Sequence, residues 1–496
     1  MTLKSKSVTH WTLCMIAAFI AAAMIWTPAA VGQGRGGRGG GRGFPNPPRD
    51  WNRDLQMKIT EPFTLASVGD IIIVRPASQF QDPGLQAALK IIRDADVGFG
   101  NFESLIRDEL HFDGPLGGSM MGTKEVAADL KAMGFRMVNR AGNHLFDSNQ
   151  EGMFATLDLL DQAGVVYAGA GRDLDDARAP HFLETPKGRI GLVGMYSDVA
   201  GGPGGSRLSA SYRTGNTGGR PGLNPLSLTR SIAVTQEQIN AMRKIRDSVY
   251  EHRTEYSNPV DPPNDPPSEV EMFGALYKAG DKPGALSYTM NDGDLKGNLR
   301  SIRNGKQFAD FMIATIHAHQ GDTILQQFLF EDHPPAFLIT LAHQAIDAGA
   351  DAFVGHGPHI LRGIEIYRNK PIFYDLGEFF REWDWSCDCD TNPTSPQTTA
   401  ERTVAGLNNR GVVEPINYES VIALSRYDKG QLQEVRLYPI WARQNAPISR
   451  RGIASLAPPE IAQRILARLQ TLSKPFGTVI TIEGNVGVIR ISPGAA

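Results

Sequence analysis

The sequence predicts a layered α/β fold, and three observations predict it. Short apolar runs alternate with stretches of helical spacing along most of the chain. Many of those runs end in polar residues able to bind a metal. The composition is that of an ordinary globular protein with ample length for a core: 496 residues, net charge −3, 41% hydrophobic and 21% charged. These proportions exclude an intrinsically disordered chain and a multi-spanning membrane protein. The sequence pI near 6.4 gives no general reason to expect a nucleic-acid partner. Three cysteines exclude a disulfide-dense scaffold. With Gly 53 and Pro 32, turn residues exceed the roughly 12% of average usage, which predicts long loops.

Taken in order, the N-terminus reads as a secretory signal over residues 1–32. Lys4 and Lys6 form a basic start, residues 13–26 an apolar run, and Ala30-Val31-Gly32 a small-x-small cleavage site. An uncleaved anchor is the rival reading and would be the one link to a membrane. Either way the protein is expected to be exported, to a periplasm or outside the cell. Residues 33–54, rich in Gly, Arg and Pro, cannot build a core and read as a linker; such Arg-Gly segments also bind anionic polymers. The main domain is expected over 55–385. Within it, residues 201–267 read as irregular around a helix at 236–251, and the region to about 300 as an insertion. It either lies over the active site or is a surface excursion. Cys387 and Cys389 sit in a polar seam, where they could bridge or bind metal. Residues 412–496 form a C-terminal extension of two hairpins and a helix, completing the core's edge or standing as a small α+β appendage.

Five strand ends carry the chemistry. Apolar runs at 63–68, 95–99, 135–138, 311–316 and 351–354 lead into Asp70, then Asn101 and Glu103, then Asn143-His144, then His317 and His319, and finally His356 and His359. Helices are expected at 84–95, 123–133, 150–163 and 335–348. In α/β folds, function collects beyond the carboxyl ends of the strands. The donor set is oxygen and nitrogen without thiolate, which suits Mn, Zn, Fe or Mg. Residues i and i+2 of a strand point the same way, so His317 and His319 can reach one site. Gly355, Gly357 and Pro358 predict that His356 and His359 fall on a turn.

The segments Val68-Gly69-Asp70, Gly100-Asn101-Phe102-Glu103, Gly142-Asn143-His144, Ile316-His317-Ala318-His319 and Gly355-His356-Gly357-Pro358-His359 come in an order that resembles the CapA family. These are capsule or poly-γ-glutamate synthesis proteins with a calcineurin-like metallophosphoesterase fold. The segment from Arg362 to Gly377 resembles the family's closing segment. The resemblance spans about 63–380 and implies a four-layer α/β/β/α sandwich with a C-terminal extension completing it. It also implies one or two divalent metal ions held by Asp70, Glu103, Asn143, His317, His356 and His359. In such sites, paired metals clamp an in-line displacement. His144 would face the substrate as a general acid or phosphate-orienting donor. Asp147 would fix its tautomer, or serve only as a helix N-terminal carboxylate. His319 would be a further ligand or a substrate contact.

The sequence departs from the family pattern in three places. Ile72 stands where phosphoesterases start with Asp-x-His, and Gly357 where many relatives carry His, so His356 would substitute. Asp375 and Glu378 replace the more usual Ser and Asn and add negative charge. The function implied is a metal-dependent hydrolase or transferase working on a phosphoester or an amide-like linkage of an anionic surface polymer, with polymer synthase or export partners. The alternative is a non-catalytic polymer-binding or assembly factor that keeps the fold. A 5′-nucleotidase-like enzyme is a third reading.

Overall fold

The alternation of apolar spacing sets each element. In the computed structural model, the described residues are 57–114, 120–199, 208–251, 264–272, 274–321, 331–382, 415–447 and 449–491. The expected signal peptide and linker, the whole 201–207 run, and Cys387 and Cys389 lie outside them. The helix Pro83–Asp94 shows the local logic. Asp82 caps it by accepting from Leu85 N at 2.9 Å, Pro83 occupies its first turn, and Leu85, Ala88, Leu89 and Ile92 form its buried stripe. Two further helices, Glu125–Met133 and Asn149–Ala163, stop at Gly134 and Gly164, whose φ of 104° and 69° suits glycine.

Two large sheets form the centre, their strands being counted among the described residues. The first has nine strands, in the order Thr481–Glu483, Val486–Arg490, Gln431–Trp441, Glu419–Asp428, Phe63–Ile72, Val97–Phe102, Phe135–Asn139 and Val166–Ala168, with Glu378–Arg381 also pairing with Phe63–Ile72. The second has ten, and its middle runs Pro225–Val234, Gly188–Val199, Phe311–His317, Ala352–His356 and Lys370–Phe373. The two sheets pack face to face. Leu65, Phe99 and Val421 of the first share one core with Ile190, Ile313 and Val354 of the second. Successive strand residues point to opposite faces. Accordingly Ala66, Val68 and Ile422 face outward, onto Leu85, Leu89 and Leu130 of the helices covering the first sheet. Val193, Ala314 and Phe353 face Ile302 and Leu341 of the helices Asp292–Lys306 and Ala336–Asp347. The architecture is the four-layer α/β/β/α sandwich. Each fully buried Leu, Ile or Phe contributes about 1.5–3 kcal/mol, so the three clusters hold the strand ends firmly.

The region expected to be irregular over 201–267 is ordered in part. Pro225–Val234 is a ten-residue strand parallel to Gly188–Val199 in the second sheet. Its Leu226 and Leu228 are buried, but Gly-rich chain before it and a helix after it mask so short a period. The helix Gln236–Glu251 follows as the spacing predicts. The Glu419–Asp428 strand lies antiparallel to Phe63–Ile72, which brings the C-terminal strands into the first sheet itself.

Candidate metal centre

Parallel strands deliver their C-terminal ends to one rim. Asp70 lies inside the Phe63–Ile72 strand rather than beyond it. The pairing register slips on both sides of it, between Ser67 and Asp70 against one neighbour and between Asp70 and Ile71 against the other. The irregularity has a cause. A Cβ on Gly69 would stand 1.7 Å from Gly377 O, and Asp70 N donates to that same oxygen at 2.9 Å. Only glycine lets the two backbones approach so closely, and the local kink re-aims Asp70. Glu103 follows the Val97–Phe102 strand. Asn143 and His144 open a 3-10 turn, Asn143–Phe146, after Phe135–Asn139. His317 ends its strand. His356 also ends a strand, Ala352–His356, paired with His317 in register. This corrects the expectation of a turn, because ladder pairing extends through Gly355. His359 does lie on the following turn, with φ at 62°.

The side chains form two close groups with Glu103 between them. In one, His359 Nδ1 lies 3.0 Å from Asp70 Oδ2 and 3.0 Å from Glu378 Oε1. In the other, His317 Nε2 lies 2.9 Å from Asn143 Oδ1 and 2.9 Å from His319 Nε2, and His319 Nε2 lies 3.3 Å from Asn143 Oδ1. Glu103 Oε1 stands 3.8 Å from His317 Nε2, 3.9 Å from His144 Nε2 and 4.0 Å from His359 Nε2. Among the described carboxylates and imidazoles, Glu103–His319–His359 and Asp70–Glu103–His317 each place donor atoms within 4.8 Å of one another. His356 belongs to neither set. Its Nδ1 is 3.9 Å from Asp70 Oδ1, its ring nitrogens hydrogen-bond to nothing described, and its ring packs 6.0 Å from that of Phe99. His144 Nδ1 lies 2.7 Å from Asp147 Oδ2, and the His144 side chain is 18% exposed. Asp70, Glu103 and His317 are fully enclosed, so solvent reaches the centre past His144 and the half-buried His319.

Sequence reasoning named Asn101 but passed over Asn139, Arg140 and Tyr196. Asn139 Nδ2 donates to Asn101 Oδ1 at 2.9 Å, and Asn101 Nδ2 donates to Asp70 Oδ1 at 2.8 Å and lies 3.1 Å from His317 Nδ1. This amide chain links four strand ends. Arg140 is fully buried; its guanidinium donates to Phe102 O and, at 3.0 Å, to Ser104 O, clamping the backbone on either side of Glu103. Tyr196 stacks on His317, with ring centroids 6.3 Å apart. Asn139 and Arg140 immediately precede Gly142-Asn143-His144, and that adjacency was the available signal. Nothing in a sequence marks an arginine as buried.

The electrostatics follow from enclosure. Burial, opposed by His359 and reinforced by the charges of Asp70 and Glu378, holds the Glu103 carboxyl well above the usual range. Burial also works against ionised Asp70, but the hydrogen bond and charge of His359, with His317 and His356, outweigh it and hold Asp70 low. Burial disfavours the charged His359 ring, yet Glu103 and Glu378 prevail and push it up. Burial, then His319, pushes His317 down. Burial pushes His356 down to about 4 against the charge of Asp70. A divalent cation fits this set. Both Glu103 oxygens are buried without a hydrogen-bond partner among the described residues, and an uncompensated buried carboxylate costs several kcal/mol. Asp70, Glu103, Asn143, His317, His319 and His359 supply the oxygen and imidazole donors that Mn, Zn, Fe or Mg prefer.

Comparison with known proteins places these residues in a family. The family described as "Bacterial capsule synthesis protein PGA_cap" matches residues 64–382. The uncharacterized protein y4sH of Sinorhizobium fredii is 39% identical over 453 residues, covering 87% of this chain and 94% of its own. The PGA biosynthesis protein CapA of Bacillus subtilis is 24% identical over 328 residues, covering 64% of this chain and 63% of its own. A solved structure of a putative 5′-nucleotidase from Staphylococcus aureus, in complex with alpha-ketoglutarate, aligns with a TM-score of 0.33 at 11% identity, over 83% of this chain and 58% of that one.

Proposed function

The chain belongs to the bacterial capsule synthesis protein PGA_cap family, and on that premise we propose that it is a metal-dependent hydrolase or transferase of surface-polymer metabolism. The observation that carries this reading is the buried, unpartnered Glu103 carboxylate standing between two groups of ligand atoms. Asp70, Glu103, Asn143, His317, His319 and His359 would hold one or two divalent ions. A bound ion supplies Lewis-acid polarisation and a lowered pKa for an attacking water. The protein's own groups do the rest. Arg140 and the Asn139–Asn101 chain fix the strand ends, so that no reorganisation is needed as charge develops. Asp147 holds His144 by Nδ1 and turns Nε2 toward the centre, where it donates a proton to the leaving group or orients a phosphoryl oxygen.

The substrate in this reading is a phosphoester or an amide-like linkage of an anionic capsule or poly-γ-glutamate-type polymer, handled with a synthase or exporter. The site of action is the periplasm or the cell exterior. Lys4, Lys6 and the apolar 13–26 run support export; among the described residues no helix is long and apolar enough to cross a membrane. Metal content of the purified protein, with Asp70→Ala and His359→Ala beside wild type, tests the reading together with phosphodiester and γ-glutamyl activity screens. Wild type is expected to bind divalent metal and turn over one substrate class, and both variants to lose metal. Wild type that takes up no divalent ion under any loading condition sinks it.

A second reading is favoured by one observation. Ile72 is fully buried where the phosphoesterase pattern has a ligand histidine, which reduces the donor set. The protein would then be a non-catalytic polymer-binding factor. Saturable poly-γ-glutamate binding that survives His144→Ala, without turnover, selects it.

A further inference from the structure

We infer that Glu378 is itself a metal ligand, closing a three-donor set with Asp70 and His359; this rests on the metal-centre reading above. Glu378 opens the strand Glu378–Arg381, which pairs in parallel with Phe63–Ile72 in the register that sets Glu378 beside Asp70. Both residues are fully buried. The two oxygens of Glu378 have different tasks. Oε2 accepts from Arg381 Nη1, whereas Oε1 lies 3.0 Å from His359 Nδ1. Asp70 Oδ2 stands 3.0 Å from that same nitrogen. A ring nitrogen carries at most one hydrogen and cannot donate straight bonds to two carboxylates. Two enclosed carboxylates crowding one nitrogen also repel each other.

A shared cation resolves both conflicts. Donors that each sit about 2.0–2.2 Å from a common ion are spaced roughly 3 Å apart, which is the distance of each carboxylate oxygen from the His359 nitrogen. A buried ion pair with Arg381 accounts for Oε2, while Oε1 faces the His359 nitrogen that Asp70 Oδ2 also approaches. Arg381 lies over the Tyr418 ring at 5.1 Å, which fixes the pair and leaves Oε1 directed inward. Asp375 provides the contrast. It is equally buried and only a few residues away, but its Oδ1 accepts from Gly377 N at 2.7 Å, and burial with the charge of Asp70 outweighs Arg362 and pushes its carboxyl well up, toward the neutral form, although its Oδ2 also lacks a partner among the described residues.

The test uses the full chain stripped with EDTA and titrated with Mn²⁺ by calorimetry, with metal content measured after desalting. Wild type, Glu378→Gln and Asp375→Asn are compared. Glu378→Gln is expected to bind Mn²⁺ at least about tenfold more weakly, or to hold one equivalent fewer, while Asp375→Asn stays within about twofold of wild type. Equal binding by Glu378→Gln and wild type overturns the inference and leaves the metal centre standing. Equal weakening in both variants also overturns it, since negative charge in general would then be responsible. Wild type that binds no Mn²⁺, Zn²⁺ or Co²⁺ overturns the parent reading and the inference with it. Should Glu378→Gln fail to fold, Glu378→Asp keeps the charge and shortens the reach. The visible absorption of its Co²⁺ form is then expected to differ from wild type, and an unchanged spectrum overturns the inference.

Discussion

Replacing Glu103 with Gln keeps the side chain's shape and removes its charge, and the sign of the effect should depend on metal. Both carboxylate oxygens are buried and unpartnered among the described residues, with three imidazoles 3.8, 3.9 and 4.0 Å from Oε1. Burial and the neighbouring carboxylates already disfavour its ionised form. In metal-free protein, then, Gln relieves a cost, and the variant should be more stable by about 1–3 kcal/mol. For a domain of this size that corresponds to a rise in Tm of roughly 1–3 °C. With metal the order reverses. Wild type gains about 2.7 kcal/mol when free metal stands at a hundred times its Kd, and the variant forfeits most of this. Scanning calorimetry of both proteins, in EDTA and in MnCl₂ or ZnCl₂, measures the four values. A variant that melts below wild type in EDTA would falsify the reasoning, because the carboxylate would then be a structural acceptor and no cation-holder.

Three other expectations come from the same geometry. His144→Asn should keep wild-type metal content and lose about 10²–10⁴-fold in kcat, as for a positioned proton donor; loss of metal instead would make His144 a ligand. His356 makes the metal-free protein acid-sensitive. Its folded pKa is pushed down to about 4 from an ordinary 6.5, so its contribution is complete above about 6.5 and drains as pH falls toward 4. The unfolded ring takes a proton that the buried ring refuses, at up to about 1.4 kcal/mol per pH unit, and urea midpoints between pH 7 and 4 should show a shallower decline for His356→Leu. Gly69→Ala places a methyl 1.7 Å from Gly377 O, where neither backbone can yield. A loss of about 3 kcal/mol or more, with loss of metal binding, is expected from denaturant titration; a folded, metal-binding variant contradicts the account of the Asp70 kink.

Much of the architecture was legible because strands and helices here keep clean periods. The run ending at Asp70 and the helix containing Leu85 and Leu89 could be read directly. Pro225–Val234 could not, since two buried leucines beside glycine-rich chain do not establish a period. Of the candidate centre, the residues that announce themselves by type could be found: Asp70, Glu103, Asn143, His144 and the histidines. The environment of each could not. His356 looks identical to His359 in sequence, yet one ends a paired strand with its ring beside Phe99 and 3.9 Å from Asp70, whereas a left-handed turn brings the other to 3.0 Å from Asp70. Asn139 and Arg140 read as ordinary polar residues, because their role lies in where neighbouring strands end. Glu378 was visible as added charge, but its register beside Asp70 belongs to the tertiary pairing.

The strand bearing Asp70 is completed from the far end of the chain. Val74 N donates to Glu382 at 2.9 Å across 308 residues, and Glu419–Asp428 pairs along the same strand. A chain still emerging from the ribosome therefore holds this strand with one edge bare until residues 419–428 are synthesised. Long-range pairings of this kind are slow to close, and a bare edge invites aggregation meanwhile. The nascent chain has no assembled centre, so on the proposed metal-dependent reading an ion would be taken up in the compartment where folding is completed, and that compartment's free-metal levels would set its identity.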